Sequence, residues 1–232
     1  MKTARKSEHL NIRSVTRALI AKFGRQTLGN KRNPFDELLF IILSSKTPPD
    51  RYKMTYRALK DKYPSADQLA HAKPTTIARV IENGGLAEKK AHQISAITRR
   101  LAKEFGRVTL RPLVRMNDQQ AEAFLDTLPG IGKKMARCVL MYSLDRPVFP
   151  VDVHCFRISL RLGWIFPKIT LTDRVADELQ AGIPPNLRRD LHVGMILLGR
   201  EYCQAEKMYC SQCPLLKYCP TGQKQQAKRD SR

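Results

Sequence analysis

Leu128-Pro129-Gly130-Ile131-Gly132-Lys133-Lys134 lies between two stretches of helical periodicity, near 118–127 and 133–143. A proline and two glycines within five positions force a tight turn, because glycine reaches backbone angles closed to other residues. A turn of this kind gathers backbone N–H groups toward one spot, and the helix that begins there adds the positive end of its dipole. Its natural guest is a phosphate, held at Gly130, Ile131 and Gly132 and flanked by the charges of Lys133 and Lys134. An ordinary αα-hairpin with a glycine turn is the other reading of the turn taken alone.

The periodicity on either side of this turn extends over most of the chain. From Ala87 to Phe105, the residues Ile94, Ile97, Leu101 and Phe105 recur at three- and four-residue spacing, and Gly106 marks a stop. Ser7 to Phe23 reads as a helix ending at Gly24. Asn33-Pro34 forms a cap and first-turn pair ahead of Phe35–Ser44, a segment apolar on most faces. Further helices are expected near 50–62, 74–83, 153–162, 172–181 and 186–200. No stretch alternates apolar and polar residues long enough for a sheet, so the expected fold is all-α. Pro147 and Pro150 interrupt the pattern and make 148–151 an extended crossing between two helical lobes. The ends, Met1–Lys6 and Thr221–Arg232, are polar and basic and read as mobile.

Lys and Arg number 42 against 21 Asp and Glu, a formal charge of +21 on 232 residues. A polyanion is the economical partner, because neutralised phosphates release counterions and give strong, salt-sensitive binding. A basic protein without nucleic acid is the alternative on charge alone. No basic amphipathic helix with a Trp- or Phe-rich face suits a membrane surface. The longest apolar run, Leu38–Leu43, falls far short of the ~20 residues that span a bilayer. Met1–Lys6 lacks a following signal-peptide core, so the chain is expected inside the cell, cytoplasmic or nucleoid-associated. Clustered cysteines there hold metal rather than disulfides.

Cys203, Cys210, Cys213 and Cys219 are separated by six, two and five residues. Four thiolates in so short a span can surround one metal centre, with tetrahedral zinc and iron–sulfur as the two options. Cys138 and Cys155 lie on apolar helix patterns and read as core. Lys134 stands at the positive end of a helix beside another lysine, an arrangement expected to depress its pKa. A neutral amine can attack C1′ of a deoxyribose and form a Schiff base. Asp152 follows eighteen positions later in Val151-Asp152-Val153-His154, where a carboxylate can stabilise developing positive charge or simply cap a helix.

The hairpin sequence followed by Val151-Asp152-Val153-His154 is similar to the endonuclease III family of helix-hairpin-helix DNA glycosylases, and the resemblance runs from about Pro34 to Cys219. It implies that Lys134 is the catalytic lysine, Asp152 the catalytic carboxylate and Lys133 a phosphate contact. Cys203, Cys210, Cys213 and Cys219 match that family's [4Fe-4S] loop without insertion, which selects the cluster over zinc. The resemblance also implies two helical lobes, a six-helix barrel over 33–147 and a cluster lobe from 1–32 and 148–222, with a basic tail over 223–232. Leu86, after Asn83-Gly84-Gly85, resembles the family's wedge leucine. Lys46 stands where the family has the glutamine that inserts opposite a flipped base, and it cannot accept a hydrogen bond. The implied protein is a monomeric base-excision glycosylase/AP lyase that binds double-stranded DNA containing a damaged base or an abasic site, removes oxidised pyrimidines and cleaves the strand by β-elimination through a lysine Schiff base. Two rivals are the same scaffold with another lesion preference and a non-catalytic helix-hairpin-helix DNA-binding protein.

Overall fold

A computed structural model describes residues 11–231. The start of the helix expected from Ser7 and the basic Met1–Lys6 stretch lie outside those residues. Among the described residues there is no β-strand, and one isolated bridge pairs Cys203 with Met208. The chain divides into two units, one spanning Gly29–Arg146 and the other joining the chain up to Leu28 with the chain from Pro147 onward. The helices in order are α1 (Ile12–Phe23), α2 (Pro34–Ser44), α3 (Pro49–Lys62), α4 (Ala66–His71), α5 (Pro74–Val80) and α6 (Ala87–Phe105). They continue with α7 (Asp118–Asp126), α8 (Lys133–Leu144), α9 (Val153–Arg161), α10 (Asp173–Gly182), α11 (Arg188–Glu201) and α12 (Pro220–Asp230). Among the described residues, no helix is long and apolar enough to cross a membrane.

The central unit is built around α2. The Asn33 side chain accepts from the Phe35 and Asp36 amides at 2.9 and 3.1 Å, and Pro34 occupies the first turn, where its missing N–H costs nothing. Phe35 and Leu38 to Leu43 are all buried, so α2 meets protein on almost every side. It packs on α8, α3 and α6, and Phe40 receives Tyr52 and Tyr56 edge-on at 5.1 and 5.4 Å. Helix α6 presents Ala91, Ile94, Ile97 and Leu101 to this core and ends at Gly106, whose φ of 71° is the left-handed stop. Helix α4, absent from the sequence expectations, is too short for periodicity to reveal. A reciprocal Ser65–Gln68 capping box starts it.

In the other unit α1 packs on α11 and α11 on α9, around Val15, Leu19, Phe149, Trp164, Leu191 and Met195. Gly194 allows the first of these approaches, since a Cβ there would stand 2.8 Å from that of Leu19. The Trp164 indole donates to Asn11 Oδ1 at 3.1 Å. The polar C-terminal stretch read as a mobile tail is instead α12. Pro220 opens it, Cys219 Sγ accepts from the Gly222 amide at 3.3 Å, and it packs on 3-10 turns at 210–212 and 216–218. Composition hid this helix because its cap is a cysteine rather than Ser, Thr, Asp or Asn.

The Asn33 cap gives the fold a direct test. Asn33→Ala should lower stability to chemical denaturation by about 1 kcal/mol, followed by far-UV circular dichroism, with secondary structure unchanged in buffer.

Candidate active site

The hairpin between α7 and α8 is a closed turn. The Ile131 amide donates to Leu128 O at 3.1 Å, and Gly130 takes a φ of 69°. Leu128 and Ile131 are buried and anchor the turn, while Pro129, Gly130 and Gly132 are exposed. Ile131 therefore offers a ligand its backbone and not its side chain. From α6, the Gln93 amide donates to Pro129 O and Gly130 O at 3.1 and 3.0 Å, and Arg100 donates to Thr127 O at 3.0 Å. A Cβ on Gly130 would lie 2.8 Å from Gln93 Nε2, so close approach and backbone angle both demand glycine.

Gly132 caps α8, which places Lys133 and Lys134 in its first turn, at the positive end of the dipole. Lys133 lies 3.3 Å from Glu122 of α7, and Arg137 forks onto the same carboxylate at 2.8 and 3.2 Å. Lys134 is exposed. Beneath it in the α2–α8 packing is Glu37, 0% exposed, which accepts from Asn30 Nδ2 and the Lys31 amide, both at 2.5 Å. Burial pushes the Glu37 carboxyl up to about 7, against the opposing pull of those hydrogen bonds and of the Lys31 and Lys134 charges.

Lys46 and Leu86 stand on two other loops of this unit. Both adopt the left-handed backbone, with φ of 52° and 53°, and both are exposed, Leu86 to 51%. The loops are joined underneath by Lys90 of α6, whose ammonium donates to Leu43 O, Gly84 O and Thr47 Oγ1.

Asp152 belongs to the other unit. It caps α9, its Oδ1 accepting from the Cys155 amide at 2.8 Å. His154 packs so tightly on Gly199 that a Cβ there would meet its Nδ1 at 2.3 Å, and Arg157 lies 2.9 Å from the same nitrogen. Burial holds the His154 pKa below its ordinary value. Arg157 also donates to Cys203 O at 2.9 Å, and Arg161 reaches Cys203 Sγ at 3.0 Å and Gln204 O at 2.8 Å. One short helix thus carries Asp152 at its start and grips the Cys203 segment from its last turns.

Cys203, Cys210, Cys213 and Cys219 all line one small cavity, with Arg161, Tyr202, Met208 and Leu216. Among the described residues, no three His, Cys, Asp or Glu side chains close on a point as a single ion requires. The Arg161 guanidinium and the Gly222 amide, at 3.0 and 3.3 Å from sulfur, suit thiolates carrying shared negative charge. Burial raises the thiol of Cys213 to about 11 and those of Cys210 and Cys219 in the same direction.

The residues expected from sequence thus fall into a hairpin group, two tied loops, a helix cap and a cysteine-lined cavity, with Lys134 and Asp152 in different units. Glu37 and Lys90 were not among the expectations. Their signal was a charged residue in phase with an apolar helical stripe, since Lys90 shares the face of Ile94, Ile97 and Leu101.

An all-α chain whose buttressed glycine turn opens a helix with two lysines is a helix-hairpin-helix protein. Residues 39–185 match the family model described as HhH-GPD superfamily base excision DNA repair protein. The endonuclease III of Thermotoga maritima is 29% identical over 90% of this chain and 92% of its own. That of Synechocystis is 31% identical over 83% of each chain. A solved non-covalent endonuclease III–DNA complex superposes with a TM-score of 0.81 at 25% identity, covering 96% of this chain and 99% of its own. The chain belongs to the HhH-GPD superfamily of base excision DNA repair proteins, and within it to the endonuclease III family.

Glu37 yields a signed prediction. Its folded-state pKa of about 7 lies above the ordinary 4.5, so the stability it contributes is fully present below pH 4.5 and lost as pH rises through 7. The Glu37→Gln variant should gain on the wild type by about 3 kcal/mol between pH 4.5 and 8 in urea denaturation. A gap that stays flat with pH would show an ordinary ionised carboxylate.

Proposed function

We propose that this base-excision DNA glycosylase/AP lyase removes oxidised pyrimidines and cuts the strand 3′ to the resulting abasic sugar through a Schiff base on Lys134. The observation that carries the reading is Lys134 itself, exposed in the first turn of α8 directly after a hairpin built to hold a phosphate. The backbone at Gly130, Ile131 and Gly132 with Lys133 grips the DNA strand without reading sequence. Leu86 and Lys46 fill the space left when the damaged base turns out of the stack.

Neutral Lys134 Nζ attacks C1′, and the C1′–N bond to the base breaks with its electron pair leaving on the base, which takes up a proton. Asp152 stabilises the oxocarbenium-like charge that develops on the sugar and moves protons afterwards. Opening of the sugar gives the imine, loss of a C2′ proton expels the 3′ phosphate, and water then releases Lys134. Cys203, Cys210, Cys213 and Cys219 hold a [4Fe-4S] cluster that orders their loop for DNA contact and enters no step of this sequence. The setting is intracellular and nucleoid-associated, and the protein works as a monomer.

Lys46 favours a second reading at the level of substrate. A side chain that only donates selects differently from a glutamine, so the same chemistry would serve another lesion or a pre-formed abasic site.

Borohydride trapping on duplexes bearing thymine glycol, an abasic site or no lesion separates these readings. A covalent adduct on thymine glycol that disappears in Lys134→Gln is the expected outcome. An adduct on the abasic site alone selects the second reading, and none on any substrate overturns the lysine assignment. The cofactor has its own check: purified protein should be brown, with iron and acid-labile sulfide in equal amounts, and Cys213→Ala should lose both. Colourless protein containing zinc would sink the cluster.

A further inference from the structure

Lys90 is 3% exposed on a helix whose other inward residues at the same phase are Ala91, Ile94, Ile97 and Leu101. An ammonium carries three N–H donors and no acceptor, and burying one is tolerated only where oxygens meet it. Three do. Leu43 O in the last turn of α2 lies at 2.9 Å, Gly84 O at the end of a 3-10 turn at 2.9 Å, and Thr47 Oγ1 at 2.7 Å. Thr47 in turn donates to Gly84 O at 2.5 Å, which closes the knot. Gly84 is pressed on Thr55 of α3, where a Cβ would come within 3.0 Å, so the loop cannot draw back to a looser arrangement.

Each tied segment carries a non-glycine residue in the left-handed region, Lys46 beside Thr47 and Leu86 two residues past Gly84. Such backbone persists only where the surroundings over-determine it. Here the surroundings are one buried cation shared by both segments. We infer that Lys90 is a positioning residue that locks the Lys46 loop to the Leu86 loop, so that the two side chains meet the duplex at the lesion as one preset wedge. This rests on the proposed entry of Lys46 and Leu86 into the duplex. The physical gain is preorganisation. A wedge that must hold bases apart works best when its two prongs need no ordering during binding. The Lys90 amide donates to Leu86 O at 2.9 Å as an ordinary first-turn helix bond, which every variant at this position except proline keeps. The ammonium bonds to neither Lys46 nor Leu86 and acts through Leu43, Thr47 and Gly84.

Lys90→Met keeps the length of the side chain and removes all three donors, while Lys90→Arg keeps charge and donors. Amide hydrogen exchange on the full, cluster-loaded protein without DNA gives the first readout. Amides over 44–48 and over 83–87 should exchange about tenfold faster or more in Lys90→Met, both loops together, with the 94–101 stretch of α6 unchanged. Loosening of one loop alone, or of neither, overturns the lock, whatever the protein does to DNA.

Single-turnover kinetics gives the second. On the order of 100-fold should be lost in removal of an intact lesion base, where flipping is required, against less than about threefold in trapping on a pre-formed abasic site. Lys90→Arg should recover most of the base removal. Equal loss on both substrates would mark Lys90 as merely structural and overturn the inference. Should the Met variant fail to fold, Lys90→Gln, which keeps two donors, is read by the same pair of measurements. A wild-type enzyme that removes no base from any duplex defeats the functional reading, and the exchange result still decides the role of Lys90.

Discussion

Helix α2 has almost no solvated side, and the central unit follows from that constraint. An interior packed to crystal-like density leaves a helix in its position little freedom to slide or turn. Its N-terminus is fixed by the Asn33 cap and its sides by α3, α6 and α8. Through α8 the constraint reaches Lys134, and through the last carbonyls of α2 it reaches the loop that presents Lys46. Glu37 is the cost of this arrangement, a carboxyl on a helix with nowhere to send it but inward. It is tolerated because a backbone amide and an asparagine meet it and because nearby lysines offset part of its desolvation.

What could be read from sequence was what local rules govern. The glycine hairpin, the Asn33-Pro34 start, the α6 stripe with its Gly106 stop and the spacing of Cys203, Cys210, Cys213 and Cys219 each declare themselves within a few residues. The cavity those cysteines share is a fact of tertiary structure that spacing only suggested. Lys90 and Glu37 were missed for one physical reason. A charge inside an apolar pattern looks like an interruption until its partners, brought from elsewhere in the chain, are known. The α12 helix escaped because its composition is that of a solvated tail and its cap is a thiol. Asp152 shows the converse, since its capping of α9 was legible while the grip of the same helix on the Cys203 segment was not.

That grip gives the cysteine loop a mechanical meaning. Arg157 donates to the main-chain oxygens of Gly199 and Cys203, and Arg161 to those of Gln204 and Ala205 and to the Cys203 sulfur. Guanidinium groups are suited to this, because their planar fork fixes several acceptors at once. The loop is thus fastened to α9 by two rigid clamps, and its order and the orientation of that helix are coupled properties.

The division of the chain has a consequence in time. Residues 29–146 are continuous, so the central unit can condense as soon as it leaves the ribosome. The other unit cannot, because Asn11 bonds to Tyr218 across 207 positions and α1 packs against α11. Throughout synthesis α1 therefore waits with its apolar stripe uncovered while an entire unit is made between it and its partner. Cys203, Cys210, Cys213 and Cys219 emerge later still, so the cavity they line can close only on a chain whose hairpin is already made.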